Sequence, residues 1–535
     1  MQLLRVTLAS AAVASTFGAI EALISQWGIG TAAERVAVVS VGALFGASFG
    51  PIAAIGPAVL AIGFGFASTP RRDRAMNAVG ALFAAITVAS VAVVTLSPAE
   101  PDRLGQPTLP NVVLITVDTL RRDAVGVYGS GPITPNLDAF ARSGLVYLDA
   151  VSPLPETAPA HASLLTARAP LRHGVLANGD VLATAIQTIP ESFRDHGWAT
   201  AAVTSSVALT AKTGLNEGFD RYDDAMLPLG LGRSTPIRWL TRAWMRLGSP
   251  ARTPWLLERD GAAATASALT WIEHHRSGGF FLWIHYFEPH APYDPAPGAT
   301  GAVDHRARID DTEWTTAERD TLRAQYAAEV TRVDAHIGQL LAGLAALGVA
   351  SGTSVVVVGD HGEALGEHGV DFAHRDLFDE VVRVPLLIRS PNRPPTQIAA
   401  QVRLCDVGAT LLELAGLPAL EAAEGIPLLR YATGERSRSL TTTLIGHRGP
   451  ALRGAPLIGF RGDGFKLIAP LDGAPAWYDL TRDPAEVTDQ AADPAQGDII
   501  RRTQARVGAD AAALRDAIGG PPASDAMLEA LGYRQ

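Results

Sequence analysis

Cysteine is almost absent from this chain: its 535 residues hold one, Cys405. A lone cysteine excludes an internal disulfide, so the compartment has to be argued from other features. Charge is sparse as well, at 18% of residues, and there is no basic excess; the formal net charge is −10. That balance gives no support to nucleic-acid binding. Mean hydropathy is +0.16, high for a soluble enzyme, and the excess lies mostly at the front. No internal repeat is visible. The length leaves room for one large domain with a smaller extension.

The front of the chain also lacks charge over long runs. Residues 6–24 carry only Glu21, while residues 36–69 and 76–96 carry no charge at all. Uncharged apolar runs of roughly 20 residues are long enough to cross a bilayer, and Gly50, Pro51, Gly56 and Pro57 are tolerated there. A signal peptide would explain one such run but not a succession of them. The middle run is either one long tilted helix or two short ones meeting at Gly50-Pro51, so three or four transmembrane helices are expected. Arg71, Arg72 and Arg74 precede the last run, and no basic residue lies in 97–102. The positive-inside bias then leaves everything after residue 98 on the far side. Residues 1–97 read as a transmembrane region, and the bilayer as a partner. The expected location is the cell membrane, multi-pass, with the catalytic domain extracytoplasmic.

Residues 98–110 carry prolines at 98, 101, 107 and 110 and read as a linker. Beyond it, strand-like and helix-like stretches alternate. NVVLITVD, residues 111–118, is six apolar or β-branched residues ending in Asp118. That is a buried central strand with a carboxylate at its tip, where open α/β sheets hold ligands. TSVVVVGDHG from Thr353 has the same form and ends in Asp360 and His361. FFLWIHYF, residues 280–287, is a third apolar strand, and 381–388 a fourth. Helices are expected over 136–143, 157–165, 188–196, 262–275, 316–347 and 405–416. A layered α/β domain over 111–440 follows. Residues 441–535 read as a small C-terminal subdomain, with antiparallel strands near 459–468 and 477–480 and a short helix over 511–518.

Several residues have the chemistry of a reaction centre. Asp118, Asp360 and His361, at two strand tips, suit a divalent ion of the Mn, Zn, Mg or Ca group. Thr119 adds an oxygen that either reaches the ion or closes the turn. Thr157 lies two residues before Pro159 at the start of a helix. It either caps that helix or offers its hydroxyl, activated by the metal, as a nucleophile. His290, between prolines in EPHAP, is placed to face a leaving group, and His374 follows His361 by thirteen residues. His161 and His173 flank the Thr157 helix. His285, inside its strand, reads as a packed residue or as one that supports a site residue from behind.

In that order, the segments NVVLITVDTLRRDAVGVYG, ETAPAHASLLTARAPLRHGV, FFLWIHYFEPHAPYDP, GDHGEALGEHG and WYDLTRDPAE resemble the sulfatase branch of the alkaline phosphatase superfamily. The resemblance implies an alkaline-phosphatase-like layered sheet with helices on both faces. It places Asp118, Asp360 and His361 among the family's metal ligands, Thr157 at its nucleophile, and His290 and His374 at its leaving-group and oxyanion contacts. His161 takes the place of the signature arginine.

The departures carry information. The family pattern C/S-x-P-x-R is here Thr157-Ala-Pro-Ala-His161, and Thr119 stands where many sulfatases have a second Asp. Threonine cannot become the formylglycine hydrate, so phosphoester or phosphonate chemistry is preferred to sulfate ester chemistry. The expected activity is a formylglycine-independent ester hydrolase acting on an anionic ester, lipid-linked or glycan-linked. Its rivals are a membrane phosphoglycerol or phosphoethanolamine transferase, a sulfuric ester hydrolase that works without formylglycine, and an inactive envelope-binding protein.

Overall fold

Strand β1, Asn111–Val117, finds apolar partners on both of its faces. Val112 and Leu114 enter one core, and Val113, Ile115 and Val117 enter another on the opposite side. The flanking strands β5 (Phe280–Tyr286) and β6 (Thr353–Gly359) divide their side chains the same way. A strand buried on both faces reads as an unbroken apolar run, which is why these three were legible. Both pair with β1 in parallel, so the three strands end along one edge.

The structure, a computed structural model, describes residues 104–129, 134–226, 259–293 and 314–518, apart from 375, 392, 434–441 and 447–455. The apolar runs of 1–97, most of the tryptophan-bearing stretch 233–261 and the tail from 519 lie outside the described residues. Among the described residues no helix is long and apolar enough to cross a membrane.

The remaining strands of the main sheet are β2 (Leu145–Val151), β3 (Ala199–Val203), β4 (Arg221–Asp223), β7 (Arg383–Arg389) and β8 (Thr396–Arg403). The order is β4-β3-β5-β1-β6-β7-β2-β8, with β7 antiparallel to its neighbours β6 and β2. On one face pack α2 (Thr157–Thr166), α4 (Ile189–Asp195) and α8 (Leu404–Ala415). On the other pack α1 (Pro135–Ala141), α5 (Gly261–His275) and α6 (Thr316–Ala346). Two one-turn helices, α3 (Pro170–His173) and α7 (Asp379–Val382), link elements of this domain. Because α7 occupies 379–382, the strand expected from 381 starts at Arg383.

A second sheet, β12-β11-β10-β9, is antiparallel. It consists of β9 (Thr442–Gly446), β10 (Leu457–Arg461), β11 (Phe465–Pro470) and β12 (Ala476–Asp479). Helix α9 runs from Gly497 to Ile518, far longer than the segment 511–518 expected. Ile500 and Val507 pack on the small sheet, and Leu514 against Leu154 and Leu176 of the larger domain. One apolar contact every seven residues is too sparse a stripe to stand out among arginines, aspartates and alanines.

Candidate active site

The parallel register sets Val117 beside Gly359, so the next residues, Asp118 and Asp360, leave the sheet side by side. Both carboxylates are almost wholly buried. Asp360 Oδ1 accepts the N–H groups of Thr119 (3.1 Å) and His361 (2.7 Å). Asp360 Oδ2 and both oxygens of Asp118 have no hydrogen-bond partner of normal geometry. Burial raises Asp118 well above the carboxylate range, with the Thr157 hydroxyl acting against the shift. Burial, and then the Asp118 charge, push Asp360 up to about 7.

His361 completes the cluster. Its Nδ1 lies 3.0 Å from the Gly362 carbonyl, to which it donates. The Nε2 lone pair is left 3.7 Å from Asp118 Oδ1 and 3.7 Å from Asp360 Oδ2. Burial pushes this imidazole down to about 4, so it is neutral near pH 7. Thr119 Oγ1 is likewise buried and unpartnered. Its backbone has φ +48, an uncommon region for a β-branched residue. The conformation is held by the N–H bond to Asp360 and by Tyr326 Oη, which donates to the Thr119 carbonyl at 2.9 Å. Converging buried oxygens and one imidazole nitrogen, all lacking partners, fit a divalent cation, which would relieve each of them.

Thr157 is the first residue of α2, and the cap position belongs to Glu156, whose side chain makes no cap bond. The capping alternative for Thr157 therefore does not hold. The helix N–H at Ala158 is met instead by Asn178 Oδ1 at 2.9 Å, while the Asn178 N–H donates to Glu156 Oε2 at 2.7 Å. Burial pushes Glu156 up to about 8. His374 Nδ1 contacts the Pro155 carbonyl at 2.7 Å, two residues before Thr157. The His374 ring lies 4.5 Å from that of His361 and 5.7 Å from that of His290, centre to centre. His290 Nδ1 is 2.5 Å from the Ala291 carbonyl. The structure thus gathers Asp118, Thr119, Thr157, His290, Asp360, His361 and His374 around one edge of the sheet.

His161 sits deeper. Trp283 Nε1 donates to Thr116 Oγ1 at 2.9 Å, so Thr116 has its own hydrogen to give His161 Nε2, also at 2.9 Å. That places the His161 hydrogen on Nδ1, which donates to the Thr157 carbonyl at 2.7 Å. Burial pushes His161 down to about 3. A neutral imidazole therefore stands where the resemblance puts an arginine. His173 lies apart, bonded to Ser163 Oγ at 2.9 Å on the far turn of α2.

Sequence reasoning passed over three residues here, Thr116, Asn178 and Trp283 as a donor, and gave His285 no part in the chemistry. Thr116 and His285 face each other across β1 and β5. The signal available was a polar residue in each of two strands that are apolar on both faces. His285 Nε2 is 3.5 Å from Asp118 Oδ2, and neither of its ring nitrogens has a hydrogen-bond partner.

A doubly covered mixed sheet, with two carboxylates and an imidazole at its strand tips and a hydroxyl at a facing helix start, defines the class of sulfatase-like ester hydrolases. The sequence model of the Sulfatase family matches residues 110–417. That of the N-sulphoglucosamine sulphohydrolase C-terminal region matches 366–512. The chain belongs to the sulfatase family. Similar proteins include a sulfatase from Formosa agariphila, 26% identical over 441 residues, covering 71% of this chain and 83% of that one. Another is the multifunctional alkaline phosphatase superfamily protein PehA of Trinickia caryophylli, 25% identical, covering 74% of this chain and 93% of that one. The phosphonate monoester hydrolase SpPMH from Silicibacter pomeroyi shares the fold, with a TM-score of 0.59 at 21% identity. That alignment covers 78% of this chain and 96% of that one.

Proposed function

We propose that this chain is a membrane-tethered hydrolase of phosphate or phosphonate esters that uses the Thr157 hydroxyl as nucleophile. The observation that carries the reading is the position of Thr157. It opens α2 without capping it, two residues after the Pro155 carbonyl that His374 contacts beside His361. A divalent cation held by Asp118, Asp360 and His361, with Thr119 Oγ1 in reach, would neutralise the two carboxylates and lower the pKa of a nearby hydroxyl.

The chain's own groups supply the rest. Asn178 and the His161 contact to the Thr157 carbonyl fix the first turn of α2, and so fix where Oγ1 points. As the Thr157 hydroxyl releases its proton to solvent, attack forms the Oγ–P bond and breaks the P–O bond to the leaving group. That oxygen takes a proton from His290 or His374. Water then attacks phosphorus, releasing phosphate or phosphonate and returning the threonine. A threonine sulfate has no equivalent of the elimination open to a formylglycine hydrate, which favours phosphorus over sulfur. The names of the relatives favour the second reading, a sulfate ester hydrolase independent of formylglycine. The apolar runs of residues 1–97 support the tether and an extracytoplasmic catalytic domain.

The test is turnover of a phosphodiester, a phosphomonoester, a phosphonate monoester and an aryl sulfate, each across Mn, Zn, Mg and Ca. Phosphorus-ester turnover is expected, falling about 10³-fold or more in Thr157→Ala. Efficient aryl sulfate turnover that survives Thr157→Ala would remove the threonine from the mechanism.

A further inference from the structure

Residues 287–293 carry His290 past the tip of β5, and two buried side chains hold them, one near each end. Glu288 Oε1 accepts the N–H of Gly261, the first residue of α5, at 2.9 Å. At the other end stands Tyr293, 3% exposed. Its hydroxyl donates to Glu363 Oε2, and its carbonyl accepts from Gln325 Nε2 of α6 at 3.1 Å. Pro289 and Pro292 lie between the two holds, and their rings, which fix φ, leave the backbone around His290 little freedom.

Glu363 gives the second hold its meaning. It lies two residues after His361 and is 1% exposed. Its carbonyl accepts from Arg121 Nη1 at 3.1 Å, and the Arg121 N–H donates to Tyr326 Oη at 3.0 Å. Tyr326 in turn donates to the Thr119 carbonyl and stands edge-to-face with Tyr293, ring centres 5.6 Å apart. Tyr293 therefore ties the segment bearing His290 to the loop bearing His361 and to the turn bearing Thr119. The hold reaches the imidazole through the backbone. His290 Nδ1 lies 2.5 Å from the Ala291 carbonyl, so Nε2 is the nitrogen that can face a leaving oxygen. Only Pro292 separates Ala291 from Tyr293. Where Tyr293 sits sets where that carbonyl points, and the carbonyl sets the rotation of the ring.

We propose that Tyr293 is a positioning residue for leaving-group protonation: its hydroxyl bond to Glu363 fixes the Ala291 carbonyl and so aims His290 Nε2. The proposal rests on the reading of the site as a phosphorus-ester hydrolase, with His290 as the proton donor. The Nε2–H bond breaks as the ester P–O bond does, leaving a neutral imidazole and a free alcohol or phenol. Such a transfer needs the heavy atoms about 2.6–3.2 Å apart, so a small rotation of the ring is enough to lose it. A poor leaving group needs the proton more than a good one, and a lost aim therefore shows in how the rate depends on the leaving group.

The test uses the full chain with phenyl and para-nitrophenyl esters of phosphoric and of phenylphosphonic acid. His290→Ala should lower kcat/KM far more on the phenyl esters, whose phenolate leaves poorly without a proton. Tyr293→Phe keeps the ring against Tyr326 and Phe372 and should reproduce that selectivity. The expected loss is about 10-fold or more on the phenyl ester and about 3-fold or less on the other. Added to His290→Ala, it should cost nothing further. If Tyr293→Phe fails to fold by circular dichroism, Gln325→Met, which removes the other hold, is read in its place and should shift the ratio the same way. Equal losses on both esters, or none, while His290→Ala stays selective, overturn the positioning role and leave the reading of the site standing. A His290→Ala variant without selectivity, or a wild type that turns over none of these esters, overturns the reading and the proposal with it.

Discussion

Replacing the hydroxyl of Thr116 with a methyl group would strand two buried polar groups at once, the Trp283 indole N–H and His161 Nε2. Thr116→Val keeps the side-chain shape, so its cost isolates the hydrogen bonds: about 2–6 kcal/mol, taking each orphaned group at the usual penalty of about 1–3 kcal/mol. The measurement is a urea titration in which the midpoint falls while the slope stays constant. A loss below about 1 kcal/mol would mean that the chain of bonds from Trp283 to Thr157 is not formed. Asn178→Ala takes the acceptor from the first-turn N–H at Ala158. It should lower kcat with little change in KM, since it disturbs where Thr157 points rather than what binds. At this scale, residues ending a strand were legible in the sequence. Asp118, Asp360 and His361 interrupt apolar runs, and a charged residue there has few structural reasons to exist. Thr116 and His285 were not legible, because a single polar residue inside an apolar strand looks the same whether it is packed or poised.

All ten residues of α2 are buried, and α8 crosses it at Gly408. A Cβ on Gly408 would lie 2.1 Å from the Leu164 carbonyl oxygen, so the two helix backbones are in direct contact. Gly408→Ala should separate them, costing about 1–3 kcal/mol, and it should also lower activity, because α2 carries Thr157. Unchanged kcat with a lowered melting temperature would show that α2 keeps its place without that contact. The other end of α2 makes stability depend on pH. His173 bonds to Ser163 and is pushed down to about 3 by burial. In the unfolded chain it titrates near 6.5. Above that value its contribution is fully present. As pH falls from about 6.5 toward 3, only the unfolded state gains the proton, and stability drops by up to about 1.4 kcal/mol per unit. His173→Gln should remove that part of the slope in urea titrations run between pH 4 and 8. Helices with their own signals were readable from sequence, such as α4 with its Thr188–Glu191 capping box. Strand β8 and most of α9 were not, because their apolar residues are sparse and their reason for being ordered lies in distant segments.

The two sheets are joined by buried charge. Lys466 of β11 has no exposure; its Nζ donates to the Leu377 carbonyl at 2.9 Å and pairs with Asp379 and with Glu486 at 2.8 Å. Arg461 of β10 reaches Asp379 at 2.8 Å and Asp149 of β2 at 2.9 Å. Burial opposes ionisation of Asp379, but Lys466 and Arg461 outweigh it and hold the carboxylate well below its usual range. Lys466→Met removes the ammonium and leaves two buried carboxylates undercompensated, at a cost of about 3–5 kcal/mol. Thermal unfolding followed by calorimetry should show a lower transition, and a split into two would mean that this network is what makes the sheets melt together. The last consequence comes from Cys405, buried in α8 and pushed well above its usual titration range, chiefly by burial. The native protein therefore has no thiol ready to react with a maleimide. A cysteine introduced on the surface would be the one residue to take up such a label. Under the proposed tether, a membrane-impermeant reagent applied to cells should label a cysteine at 102 and spare one at 73 until a permeant reagent is added; equal labelling of both by the impermeant reagent would count against the tether.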